Sequence, residues 1–192
     1  MLFESKEATA AYFREHPNLM DLELGPFPLT TDLPALPSTL TCLRIFSGPR
    51  LTSLPVFPAR LRRLWVERCP GVTSLPALPD TLTCLWVENC AGLAGLPVLP
   101  ATLSELRVFH CAGLTTLPEL PQALNFLQIV NCTSLMNLPV LPRMLACLQV
   151  ENCPGLTSLP ALPNTLTQVR IYECPGLARF VVKFGKMTIS IR

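Results

Sequence analysis

The stretch SLPALPDTLTCLWVENC, residues 74–90, decides the fold, because most of it returns at residues 158–174 as SLPALPNTLTQVRIYEC. Both copies contain the motif L-P-x-[LF]-P, which recurs every 21 residues. A sequence period of about 20 to 30 residues is typical of a solenoid, in which each repeat forms one turn. The motif begins at seven leucines: Leu33, Leu54, Leu75, Leu96, Leu117, Leu138 and Leu159.

The second half of each repeat predicts a buried strand. From Leu82 to Leu93 the pattern is L-x-x-L-x-V-x-x-C-x-x-L, which is a leucine-rich-repeat segment. In such a segment a short strand directs its leucines inward and pairs with the strand of the next turn in a parallel sheet. A single repeat cannot bury these leucines alone, so neighbouring turns must stack.

The two prolines of each motif predict the opposite side of the turn. Proline fixes φ and has no amide hydrogen, so this segment is expected to be extended and polyproline-like, without a helix. The predicted fold class is therefore a leucine-rich-repeat solenoid, with a curved parallel β-sheet on the concave face and an extended polyproline-like convex side.

The N-terminal part of the chain departs from the repeat. Residues 1–18 predict a helical cap with Ser5 as the N-cap and Pro17 as the terminator, which would cover the exposed end of the solenoid. Residues 19–32 form a degenerate first turn, because their leucines precede those of the next repeat by 21 residues. The apolar contacts of the cap are expected from Phe3, Ala8, Tyr12 and Phe13.

At the other end, the solenoid is expected to extend over residues 19–179, and residues 180–192 abandon the repeat. Apolar and polar residues alternate there around Gly185 and Lys186. This pattern predicts a C-terminal cap strand or hairpin over the last leucines.

Composition narrows the function classes. The length of 192 residues favours one domain. The net charge of +2 argues against nucleic acid or an acidic membrane as the main partner. No apolar run reaches the 18 or so residues that span a bilayer, and the first residues do not form a signal peptide.

The nine cysteines divide into two groups. Their odd number and the equivalence of their sites favour reduced thiols, which predicts a reducing compartment such as the cytosol. Because no C-x-x-C pair occurs and the two histidines are far apart in sequence, we expect no metal and no cofactor. Cys42, Cys84 and Cys147 fall on the concave face, and the buried ladder is expected from Cys69, Cys90, Cys111, Cys132, Cys153 and Cys174.

The variable residues of the strands fall between the buried ones and therefore face the concave side. Both tryptophans lie there on adjacent turns, with arginines before and after them and two glutamates beside them. The candidate partner-binding residues are Arg44, Phe46, Arg63, Trp65, Glu67, Trp86, Glu88, Arg107, Phe109, Phe126, Gln128, Arg170 and Tyr172.

Two interpretations of this face stay open. Trp, Tyr and Arg dominate binding hot spots, so the face predicts a protein partner. The alternative is that stacked aromatic residues only extend the sheet by packing against their neighbours. A cluster of arginines elsewhere in the second turn could dock an acidic surface or be a solvated edge. This cluster comprises Arg50, Arg60, Arg62, Arg63 and Arg68.

The motif LPALP..L..L.V resembles the LPX class of leucine-rich repeats in bacterial effectors of the IpaH and YopM group, which type III secretion injects into host cells. The resemblance covers about residues 19–179. It implies recognition of host proteins by the repeats and, in many members, a following ubiquitin-ligase domain. This chain departs from the group by its C-x-x-L in place of N-x-L, and no catalytic residue can be carried over.

We therefore expect a non-catalytic protein-recognition module, an effector or effector domain that binds a host protein through its concave face. The alternative is the substrate-recognition fragment of a ubiquitin ligase. All three lysines, Lys6, Lys183 and Lys186, lie outside the repeats, which fits a receptor that escapes self-modification but also fits a GC-rich genome. Self-association through the concave face competes with partner binding.

Overall fold

A computed structural model describes residues 5–26, 31–177, 181–184 and 187–190. A helix, α1, spans Lys6–Glu15 and precedes an eight-stranded parallel sheet whose strands follow one another in chain order. The strands of this sheet are β1 (Asp21–Leu24), β2 (Cys42–Phe46), β3 (Arg63–Glu67), β4 (Cys84–Glu88), β5 (Glu105–Phe109), β6 (Phe126–Val130), β7 (Cys147–Glu151) and β8 (Gln168–Tyr172).

The register of the sheet reproduces the sequence period. Leu43 pairs with Leu64, and Leu64 pairs with Leu85, so each residue lies beside its equivalent 21 positions later. These three leucines are fully buried, whereas the residues directly before and after each of them in its strand are more exposed. The predicted leucine-rich-repeat solenoid is confirmed, with one strand contributed by each turn and by the degenerate first turn.

The segments that link the strands contain turns and extended backbone. In the described part of the chain between β1 and β8 they contain no helix, in agreement with the pairs of prolines. Each turn closes with a backbone hydrogen bond, such as the one that the Leu82 amide donates to the Pro79 carbonyl at 3.0 Å. Leucines from these segments, including Leu75 and Leu78, are buried against the sheet.

The end of each long strand has the same backbone irregularity. The residue that follows the strand has a positive φ of about 50°, which L-amino acids adopt at a cost and which asparagine tolerates best after glycine. Three asparagines therefore occur among the residues at this position: Ser47, Arg68, Asn89, His110, Asn131, Asn152 and Glu173.

The helix α1 begins as predicted at its N-cap. The Ser5 side chain accepts a hydrogen bond from the Ala8 amide, and the helix ends before Pro17. One of the predicted contacts is wrong, because Ala8 is exposed. The buried residues of the helix are Phe13, as predicted, and Thr9, whose hydroxyl donates to the Ser5 carbonyl. Phe3 lies outside the described residues.

Beyond β8 the chain forms a short 3-10 helix, Pro175–Leu177, and a separate antiparallel strand pair. Strand β9 spans Val181–Phe184 and strand β10 spans Met187–Ser190. The turn predicted at residues 185 and 186 lies outside the described residues, and the covering of the last leucines by this segment stays a prediction.

Candidate functional site on the concave face

The eight strands arrange their outward residues in three parallel rows. The middle row includes Arg44, Trp65, Trp86 and Arg107 on consecutive strands, because these residues are paired in register. Neighbouring strands are about 4.8 Å apart, so residues of one row lie within side-chain contact. The sheet therefore brings both tryptophans and the arginines beside them together on one surface.

Arg44 is held by two carboxylates. Its guanidinium donates two hydrogen bonds to Glu67, at 3.0 and 2.9 Å, and a longer one of 3.5 Å to Glu23. The two-point contact with Glu67 fixes the plane of the guanidinium, which also lies 5.4 Å from the ring centre of Phe46. The hydrogen bond with Glu67 raises the pKa of Arg44 above its ordinary value.

Trp86 is fixed at both ends. Its indole Nε1 donates to Glu88 at 3.2 Å, and its ring packs against Phe109 with 5.2 Å between the ring centres. Glu88 also accepts a hydrogen bond of 3.1 Å from the Asn89 amide group. Both donors to Glu88 are neutral, so its negative charge is oriented but not compensated by them.

Arg107 lies between two aromatic rings. Its guanidinium carbon is 5.2 Å from the ring centre of Trp86 and 4.5 Å from that of Phe126, distances at which a cation and a ring attract. An ion pair with Glu105 and a hydrogen bond to Gln128 at 3.5 Å complete its surroundings. The centre of the concave face is thus a preformed aromatic and cationic platform.

Next to this platform is an open cleft with a volume of about 570 Å³. Sequence reasoning selected five of its residues and missed Asp21, Glu23 and Cys42 as binding candidates. The 21-residue offset from Arg63 and Arg44 could have identified them. The cleft is lined by Asp21, Leu22, Glu23, Cys42, Arg44, Trp65, Glu67, Trp86 and Glu88.

Of the candidates that do not line this cleft, Phe46 and Arg63 belong to β2 and β3, and the others lie further towards the C-terminal end of the sheet. Arg170 and Tyr172 are exposed on the last strand, β8. A hydrogen bond with Glu151 raises the pKa of the Tyr172 hydroxyl. The structure thus divides the candidates into a group around the two tryptophans and a group around Arg170.

The cysteines lie as predicted. The six ladder cysteines are buried, and Cys42 and Cys84 are half-buried on the concave face, while Cys147 is buried there. Burial raises the pKa of Cys69 to about 11 and that of Cys90 to about 12. The ladder thiols from Cys69 to Cys153 are therefore held in their neutral form, whereas a hydrogen bond with Cys153 lowers the pKa of Cys174 to about 7.

The arginine cluster does not form one surface. Arg62 and Arg63 lie at the start of β3, whereas Arg68 follows its end, so the strand separates them. All three are exposed. The whole cluster therefore does not present one surface to an acidic partner, although the arginines at each end of β3 can contribute to binding separately.

The described residues contain neither a metal-binding cluster nor a membrane-spanning helix. No cluster of three or more histidine, cysteine or acidic side chains in them is arranged to hold a metal ion. None of the helices formed by these residues has the length and hydrophobicity needed to cross a membrane.

The register, the buried leucines and the concave rows define a leucine-rich-repeat protein. YopM from Yersinia enterocolitica WA-314 has a similar structure: it is 30% identical, with a TM-score of 0.54 over 93% of this chain and 46% of that chain. This chain thus spans less than half of that protein, and its repeats resemble those of this effector class. No protein-family model and no curated protein matches the sequence.

Two further solved structures are similar at lower identity. YopM from Yersinia pestis, described as a leucine-rich effector protein, is 24% identical, with a TM-score of 0.39 over 87% of this chain and 65% of that chain. The leucine-rich repeat domain of the type III effector XopL is 21% identical, with a TM-score of 0.44 over 84% of this chain and 80% of that chain.

Proposed function

We propose that this protein is a non-catalytic recognition module that binds a host protein through its concave face, in the reducing cytosol of the host cell. The leucine-rich-repeat fold supports protein binding, and the likeness to YopM supports the host as the source of the partner. Binding would be centred on the two tryptophans and on the arginines and glutamates around them.

The observation that supports this proposal most is the position of the tryptophans. They face away from the core, which is complete without them, since Leu64 and Leu85 are fully buried beneath the sheet. Among the described residues, the side chain of Trp65 forms no hydrogen bond and no ring contact. Large apolar side chains that are held on a rigid surface without a structural task are typical of binding hot spots.

The experiment is a pull-down from eukaryotic host-cell cytosol with the wild-type chain and the Trp65→Ala/Trp86→Ala variant, read by mass spectrometry. We expect at least one protein that the wild type retains and the variant loses. Circular dichroism beforehand checks that both chains are folded.

A matched control removes exposed apolar side chains from another surface. Val56 and Val98 are 81% and 85% exposed in the segments that link the strands. The Val56→Ala/Val98→Ala variant should retain the same proteins as the wild type. If wild type and tryptophan variant retain the same proteins, the aromatic residues serve packing and the proposal is wrong.

A second candidate function is substrate recognition for a ubiquitin ligase. The observation that favours it is the absence of lysine from residues 19–179. A fusion of this chain with a ligase domain is mixed with ubiquitin and the activating and conjugating enzymes. The repeats should then carry no ubiquitin, whereas a captured partner should become modified. Modification of the partner at the same rate without the repeats would exclude this role.

A further inference from the structure

The cleft beside Trp65 carries more negative than positive charge. Four carboxylates line it, from Asp21, Glu23, Glu67 and Glu88, and Arg44 is its only lining cation among the described residues. Counting the neighbouring Arg63 as well still leaves the carboxylates in excess. A partner that fills the cleft therefore meets a negative potential.

Two of these carboxylates have no cation of their own. Glu67 is compensated by the two-point contact with Arg44, which also reaches Glu23. Among the described residues, Glu88 and Asp21 form no ion pair, and the donors to Glu88 are the neutral indole of Trp86 and the amide of Asn89. The Glu88 carboxylate is thus oriented by the protein and left uncompensated.

The walls of the cleft add a second preference for cations. The face of an indole attracts a guanidinium or an ammonium group. The same sheet shows this contact within the protein, since Arg107 lies over the ring of Trp86 at 5.2 Å. Trp65 offers an equivalent ring that no described residue covers with a cation.

We propose that this cleft binds a lysine or arginine side chain of the partner, so that the recognised segment of that protein is basic. The proposal rests on the proposed function, because it names the chemistry that the concave face recognises. An acidic side chain would be repelled by the carboxylates. An apolar side chain would take them out of water without a partner, which is unfavourable.

The test uses an array of twelve-residue peptides whose central residue is Arg, Lys, Leu or Glu and whose flanking positions are randomised among uncharged residues. The labelled full chain is applied, and the bound signal is compared between the four groups. We expect the Arg and Lys groups to retain on the order of tenfold more protein than the Leu and Glu groups.

Charge variants then locate the interaction. Glu88→Gln keeps an oxygen that accepts from Trp86 but removes the charge, and it should lower binding to the Arg and Lys groups on the order of tenfold. Glu151→Gln is the matched control, since Glu151 occupies the same row on β7 outside the cleft. Glu88→Lys should shift the preference towards the Glu group.

The outcomes separate this proposal from the one on which it rests. If the Leu or Glu group binds as well as the Arg group and Trp65→Ala abolishes that binding, the concave face is the site and the basic partner is wrong. If binding is unaffected by Trp65→Ala, both proposals are wrong. Equal losses with Glu88→Gln and Glu151→Gln, or no retained peptide in any group, would also overturn the basic partner.

Discussion

Leu85 and Trp86 are consecutive residues of one strand that perform different tasks. Leu85 is fully buried in the core, whereas Trp86 lies on the concave surface in contact with Phe109 and Arg107 of the next strand. This difference follows from the alternation of side chains along a strand. It allows the stability of the fold and the binding of a partner to be changed separately.

We predict that Leu85→Ala lowers the free energy of unfolding by about 2 to 5 kcal/mol, because a cavity opens in a core that cannot collapse fully. Trp65→Ala should change the free energy of unfolding by less than about 1 kcal/mol, because Trp65 lies on the concave face of the sheet and not in the core. Urea unfolding followed by far-ultraviolet circular dichroism measures both. A larger loss for Trp65→Ala than for Leu85→Ala would mean that the two faces are assigned the wrong way round.

The sequence could predict which residues face the concave side, but not how they pair there. Alternation and the 21-residue period place Arg44, Trp65 and Glu67 on one surface whatever their rotamers are. The bond from Arg44 to Glu67 crosses between strands and competes with the one to Glu23, and this choice depends on side-chain geometry. Asp21 and Glu23 were missed because the first turn matches the repeat only in its leucines.

At the scale of one turn, a threonine links four of the seven repeats to the turn before it. The Thr81 hydroxyl lies 2.8 Å from the carbonyl oxygens of Ala59 and of Leu61. Thr39, Thr102 and Thr165 make the equivalent contacts. The equivalent position in three other repeats has no hydroxyl, since it is occupied by Arg60, Ala123 and Met144.

We predict that Thr81→Val destabilises the protein by about 1 kcal/mol, because it removes the donor and keeps the shape of the side chain. Ala123→Thr should stabilise it by a similar amount, because it supplies the same donor to a repeat that has none. Thermal or urea unfolding of the two variants checks both signs. Thr81→Ser, which keeps the hydroxyl, should lose less than Thr81→Val, and equal losses would show that the methyl group matters instead.

The elements themselves were predictable for the same reason that the fold is regular. Each strand is specified by the same buried positions, and stacking of equivalent turns aligns them without long-range information. The N-terminal helix has no such repetition to set its rotation. Its N-cap at Ser5 followed from local chemistry, but the burial of Thr9 in place of Ala8 depends on how the helix docks on the first turn.

Over the whole molecule, most of the cysteine ladder repeats one electrostatic situation from turn to turn, and the exception is its last member, Cys174, whose pKa a hydrogen bond with Cys153 lowers. Burial is the main cause that raises the pKa of Cys69, Cys90 and Cys132 above the ordinary value near 9, to about 11, 12 and 11. These thiols keep their protons in the native protein at a pH where the unfolded chain has lost them. Solenoid stability is therefore linked to pH through many equivalent sites at once.

The sign of this linkage gives a prediction for alkaline solution. Between pH 9 and the raised pKa of Cys90, the native state binds more protons than the unfolded state, so the free energy of unfolding falls as the pH rises. Below pH 9 the contribution is fully present. Each such thiol should remove about 1 kcal/mol per pH unit in this window, and urea unfolding at pH 7 and pH 10 measures the total.

Cys90→Ala tests the cause of this fall. The variant is less stable than the wild type at pH 7, but its further loss between pH 7 and pH 10 should be about 1 kcal/mol smaller, because one titrating group is gone. Val72→Ala is the matched control: Val72 is fully buried three residues after the ladder residue Cys69 and has no proton to lose. It should lose as much stability at pH 10 as the wild type does. If Cys90→Ala and Val72→Ala respond alike to pH, the ladder thiols do not control alkaline stability, and other titrating groups must be responsible.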